Sequence, residues 1–161
     1  MRFKKGDRIP EINLVQKNGE PWFFPSKETN KTLFFLFRPV EMESSLFRTA
    51  LCQLRDNMKL WRAMEISVIA ICSGKNHEQV SRFHNQLSLN FELLSDPGMR
   101  TAHIWKLEDQ STQQEDKSVK DWFVLLLDEN HKAVYTESGR SSKALPGFNG
   151  LLKRLMSNSE L

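Results

Sequence analysis

Cysteine is scarce in this chain. Cys52 and Cys72 are the only two, which gives no disulfide framework and fits a reducing cytoplasm. Long apolar runs are missing too. The longest, Leu33–Phe37 and Trp122–Leu127, fall far short of the roughly 20 residues a bilayer-spanning helix needs, so no membrane association is expected. The opening MRFKKGDRIP carries charge with no apolar segment behind it, so it does not read as a secretory signal. Basic residues are dispersed around a net charge of +3; the densest group is Arg2, Lys4, Lys5 and Arg8, with Phe3 its single aromatic. Nucleic-acid binding wants a basic stripe or a recognised motif, and neither is present. His77, His84, His103 and His131 show no zinc spacing, and Ser73-Gly74-Lys75 lacks the earlier glycine of a phosphate loop. No metal, cofactor, nucleic acid or membrane is therefore expected.

Core material, by contrast, is ample. Hydrophobic residues make up 39%, with 11 Phe and 4 Trp against 27% charged residues, an ordinary balance for a globular protein. A length of 161 residues suits one domain over 1–161, burying roughly 70% of its extended surface. No repeat or linker interrupts it.

Periodicity sets the order of elements. Glu11–Val15 alternates like a half-buried strand, Lys17–Glu20 supplies an Asn-Gly turn, and Pro21–Phe24 returns, making an N-terminal β-hairpin. Lys31–Arg38 reads as a buried strand. From Leu46 to Met64, Leu46, Ala50, Leu51, Leu54, Met58, Trp61 and Met64 recur at helical spacing, with Ser44 or Ser45 as cap. Glu65–Cys72 is a nearly continuous apolar strand, and Asn76–Ser88 is an amphipathic helix with Val80, Phe83 and Leu87 on one face. Phe91–Leu94 is a short strand that ends in a Ser95–Gly98 turn, followed by a short helix over Met99–Trp105. Leu107–Ser118 reads as an exposed polar loop. Lys120–Leu127 and Ala133–Thr136 form an antiparallel pair, and a last helix covers Gly147–Met156. This alternation predicts an α/β fold with a mixed central sheet and helices on both faces. Sites in such sheets gather at the carboxyl ends of the parallel strands, here Arg38–Ser45, Cys72–Lys75 and Ser95–Gly98.

Several local words carry a resemblance over nearly the whole chain. They are Gly6–Leu14, Phe35–Pro39, Cys52–Asn57, Asn90–Asp96, Ile104-Trp105 and Phe123–Asp128. In this order they resemble the peroxiredoxins, specifically the bacterioferritin-comigratory branch of the alkyl hydroperoxide reductase/thiol-specific antioxidant family. The resemblance implies a thioredoxin-like fold and thiol-dependent peroxide reduction. It also implies four active-site residues: a shielding proline, an orienting threonine, an attacking cysteine and a stabilising arginine. Pro39 matches the proline, and the threonine position falls on Glu43. The cysteine position falls on Leu46, or on Phe47 if the helix sets the register, and the arginine position falls on Trp122 with Lys120 the nearest cation. Cys52 lands where this branch often keeps a resolving cysteine.

Neither register offers a thiol. Peroxide reduction needs a thiolate, and a helix N-terminus or neighbouring cation is what lowers a thiol's pKa from about 8.5. Glu41 and Glu43 add negative charge to the loop, and Cys52 lies well inside its helix. The expectation is a peroxiredoxin-like protein with a degenerate site lined by Pro39, Glu41, Glu43 and Trp122, holding an unknown protein or small-molecule partner. The competing expectation is a thiol oxidoreductase using Cys52, alone or paired with Cys72. A third treats the chain as an assembly subunit packing an exposed Leu46/Phe47 region on a partner; otherwise a monomer or weak dimer is expected.

Overall fold

The structure, a computed structural model, describes residues 4–24, 30–39, 46–105 and 120–157. Three parallel strands form its centre: β3 (Lys31–Phe37), β4 (Ile66–Ser73) and β5 (Glu92–Asp96). The hairpin β1 (Ile12–Val15) and β2 (Pro21–Phe24) adds antiparallel to β5, while β6 (Trp122–Leu127) and β7 (Ala133–Gly139) add antiparallel to β3. The resulting seven-stranded mixed sheet has the order β2-β1-β5-β4-β3-β6-β7. Among the described residues, five helices accompany it: α1 (Leu46–Asp56), α2 (Met58–Ala63), α3 (His77–Gln86), α4 (Arg100–Ile104) and α5 (Phe148–Ser157). Among the described residues, no helix is long and apolar enough to cross a membrane.

Side-chain alternation along β3 divides the interior into two cores. Leu33, Phe35 and Phe37 face α1, α2, α3 and α5, whereas Phe34 and Leu36 face Trp105, Phe123, Ile12 and Leu14. Helices thus lie on both faces, unevenly: four on one side, and short α4 with the hairpin on the other. The two right-handed crossovers, β3–α1/α2–β4 and β4–α3–β5, advance in the same direction across the sheet and so deposit their helices on the same side.

Three expectations are corrected. The helix expected over Leu46–Met64 breaks at Asn57, whose amide Nδ2 donates to Gln53 O at 3.1 Å and to Asn149 Oδ1 of α5 at 3.0 Å. Asn competes with the backbone in this way. The apolar period runs through the break because Met58 and Trp61 still face the core. Second, Ser95 and Asp96 belong to β5, paired with Cys72 and Ser73, where a turn was expected. Third, β7 continues past Thr136 to Gly139. The helix after β4 starts under a capping box, with Asn76 Oδ1 accepting from Gln79 N and Gln79 Oε1 accepting from Asn76 N. The expected Leu107–Ser118 loop and the Ser44/Ser45 cap fall outside the described residues.

Candidate functional site

The carboxyl edge of β3–β5 is where the sequence placed the site. The chain leaves β3 through Arg38, whose N–H donates to Asp121 O at 2.8 Å, and half-buried Pro39. Positions Glu41 and Glu43 lie outside the described residues. The chain is described again from α1. Leu46 opens that helix, with its side chain outside the described set, and Phe47 follows at 3% exposure. The Phe47 ring centroid lies 5.0 Å from that of Phe37 and 6.4 Å from that of Phe35. Phe148 of α5 closes the cluster edge-on to Phe35 at 5.1 Å. The first turn of α1 is therefore pinned by an aromatic ring driven into the core. This corrects the picture of Phe47 as an exposed docking residue: a Phe ring this close to two others gains more from burial than from facing solvent.

Trp122 is sealed in the same manner. It opens β6 between Phe37 of β3 and Gly139 of β7, with 2% of its surface exposed. Its indole N–H donates to Ala144 O at 2.8 Å. A Cβ placed on Gly139 would sit 2.4 Å from the Trp122 ring, so glycine there is required by close approach. Trp122 consequently does not line an open cleft, contrary to the expectation that it would. Beside it, Asp121 accepts from Ser141 N at 2.7 Å and from Ser141 Oγ, so this carboxylate is committed to holding the turn after β7. Lys120, the nearest cation in sequence, is half-buried just outside β6.

The two thiols occupy different environments. Cys52 lies in α1, partly exposed and packed against the core cluster. Cys72 lies in β4, flanked by Phe37 and Ser95, with 0% exposure. Burial, with Asp96 assisting and Lys75 opposing, pushes the Cys72 thiol up to about 12, so it stays protonated at neutral pH. Neither Cys52 nor Cys72 is disulfide-bonded.

The Ser73-Gly74-Lys75 turn at this edge is occupied by the protein itself. Gly74 N donates to Asp96 O at 2.7 Å, and Ser73 Oγ donates to Asp96 Oδ2 at 2.8 Å. Buried Asp96 also accepts from Thr101 N at 3.1 Å and Ala102 N at 3.4 Å, tying β4, β5 and α4 together. Its sequence signal, Ser95-Asp96-Pro97-Gly98, reads as a turn and conceals this bracing carboxylate. No group of three or more His, Cys, Asp or Glu among the described residues is placed to hold a metal ion.

This arrangement has known relatives. Peroxiredoxin Bcp of Escherichia coli strain K12 is 34% identical over 93 residues, covering 58% of this chain and 58% of that protein, so the match spans under two thirds of the relative's length. The fold is similar to that of peroxidoxin BcpB from Mycobacterium tuberculosis, with a TM-score of 0.76, 18% identity and coverage of 98% and 99% of the two chains. It is also similar to a cysteine-to-serine mutant of PrxQ from Xylella fastidiosa, with a TM-score of 0.81, 12% identity and coverage of 99% of each chain. These structures place the sheet and helices in the thioredoxin-like α/β class. A family model described as the AhpC/TSA family matches residues 5–135, and the chain belongs to that family, as a peroxiredoxin-like protein of the Bcp branch.

Proposed function

We propose that this chain is a peroxiredoxin-type domain, one unit over residues 1–161, that has lost peroxidase chemistry and serves as a binding or regulatory module in a redox setting. The observation that carries this reading is Phe47, a buried ring at the helix entrance where the helix register places the attacking sulfur. Thiol peroxidases break the O–O bond by attack of a thiolate on one oxygen. That leaves a sulfenic acid on the enzyme and expels the other oxygen as water or alcohol. The step needs a sulfur lone pair in a positive field. At Leu46 or Phe47 the chain offers carbon, and at Trp122 it offers an uncharged indole fixed to a backbone carbonyl. Cys72 is buried and protonated, and Cys52 lies beyond the first turn of α1, where the helix dipole has weakened. A protein or small-molecule partner would meet the carboxyl edge near Pro39, Glu41 and Glu43. Two cysteines outside any disulfide fit the cytoplasm as its location.

Cys52's partial exposure favours one alternative, an antioxidant thiol oxidoreductase using Cys52, possibly with Cys72. A peroxidase assay separates the two readings. Purified protein given hydrogen peroxide or cumene hydroperoxide with a thioredoxin reducing system should show no turnover above background, unchanged in Cys52→Ser and Cys72→Ser. Robust turnover abolished by Cys52→Ser would overturn the proposal.

A further inference from the structure

The opposite end of the sheet carries a second concave surface. At the amino ends of β3, β4 and β5 lies a hollow of about 310 Å3, at the small end of the range for ligand pockets. A second hollow of about 300 Å3 adjoins it, sharing Asn30, Ser67 and Val68.

Strand register explains the first hollow. Thr32 of β3 pairs directly with Ser67 of β4, and Glu92 of β5 pairs with Ile69, two residues further along β4 on the same face. Thr32, Ser67 and Glu92 therefore form a polar shelf across three adjacent strands. Next along the same face come the apolar Phe34, Ile71 and Leu94. The short side chains Thr32 and Ser67 leave the space. Trp22 and Phe24 of β2 wall it as a stacked pair, centroids 6.3 Å apart at 16°, with Phe24 set edge-on to Phe34 at 5.0 Å. Among the described residues, Glu92 is the one ionisable side chain lining it. Thr32 Oγ1 donates to Asn30 O at 3.3 Å, so its lone pairs remain as acceptors.

We propose that this hollow is a binding site for a small organic ammonium with an apolar body, the cation on Glu92 and the body against Trp22. A carboxylate, hydroxyl acceptors and the negative faces of aromatic rings all favour a cationic N–H donor, and an anion would meet repulsion from Glu92. The site stands apart from the carboxyl edge and is independent of what that edge does.

Titration of the 15N-labelled full chain with 2-phenylethylammonium chloride, followed by amide and indole NMR shifts, tests this. Saturable shifts are expected at the Trp22 indole N–H and at the amides of Thr32, Ser67, Ile69 and Glu92, with the Trp122 indole unmoved. Glu92→Gln should weaken binding roughly tenfold, the difference between a charge-assisted and a neutral hydrogen bond. Ser67→Leu should abolish it by filling the space. Equal affinity for neutral 2-phenylethanol would overturn the proposal. So would unchanged affinity in Glu92→Gln, or linear shifts scattered over the surface.

Discussion

Truncating Phe47 tests whether the helix entrance is packed interior. The ring is 3% exposed and packs at a tilt against Phe37, centroids 5.0 Å apart, so Phe47→Ala removes a full aromatic contact and leaves a cavity between α1 and β3. Buried Phe→Ala changes cost about 3–5 kcal/mol, part transfer and part cavity. For a chain of this length each kcal/mol lowers Tm by about 2–4 °C, so a fall of roughly 6–20 °C is expected. Urea unfolding monitored by tryptophan fluorescence should show the lower midpoint with an unchanged m value. A Phe47→Cys chain extends the test. Its sulfur would sit in apolar surroundings beside Phe35 and Phe37, which raises a thiol's pKa, so it should reduce no hydroperoxide. A loss below about 1 kcal/mol in Phe47→Ala would show that the position is open to solvent. Hydroperoxide turnover by Phe47→Cys would refute the argument that packing has closed the site.

Gly139→Ala should cost about 1–3 kcal/mol by overpacking, because its Cβ would meet the Trp122 ring at 2.4 Å; thermal unfolding reads this, and a neutral effect would refute the close fit. Burial, and then the Lys17 ammonium 3.4 Å from Nδ1, hold His84 below its usual value. The unfolded chain then takes up this proton first as pH falls. The His84 contribution is complete above about pH 6.5 and is lost on acidification below it; Lys17→Met should flatten the pH dependence of urea midpoints, and identical slopes would contradict this. Iodoacetamide at pH 8 should alkylate partly exposed Cys52 before Cys72, whose thiol is pushed up to about 12 and should label only after denaturation; faster labelling of Cys72 would place it at the surface.

Much of the fold was legible in the chain because burial leaves a periodic signature. Uninterrupted apolar runs marked β3, β4 and β6 as strands covered on both faces, and the Asn-Gly turn marked the hairpin. Where local chemistry competes with periodicity, the sequence misleads. Asn57 breaks a helix whose apolar stripe continues unbroken, and Asp96 looks like a turn residue because its partners, Ser73, Thr101 and Ala102, are assembled only when β4, β5 and α4 meet. The Gly139–Trp122 contact has no local signal, since the two residues become neighbours only through the β6–β7 pairing.

For the site, residue identity by itself established that no sulfur stands at Leu46, Phe47 or anywhere in the first turn of α1, and that an indole stands at position 122. A covalent inventory is complete before folding. Whether Phe47 and Trp122 face a partner or the interior was decided by tertiary structure alone, because both are large amphipathic or apolar groups suited to either environment. The sheet settled it by bringing Phe35, Phe37, Phe148 and Gly139 around them, so that desolvation and ring packing favour the inward position.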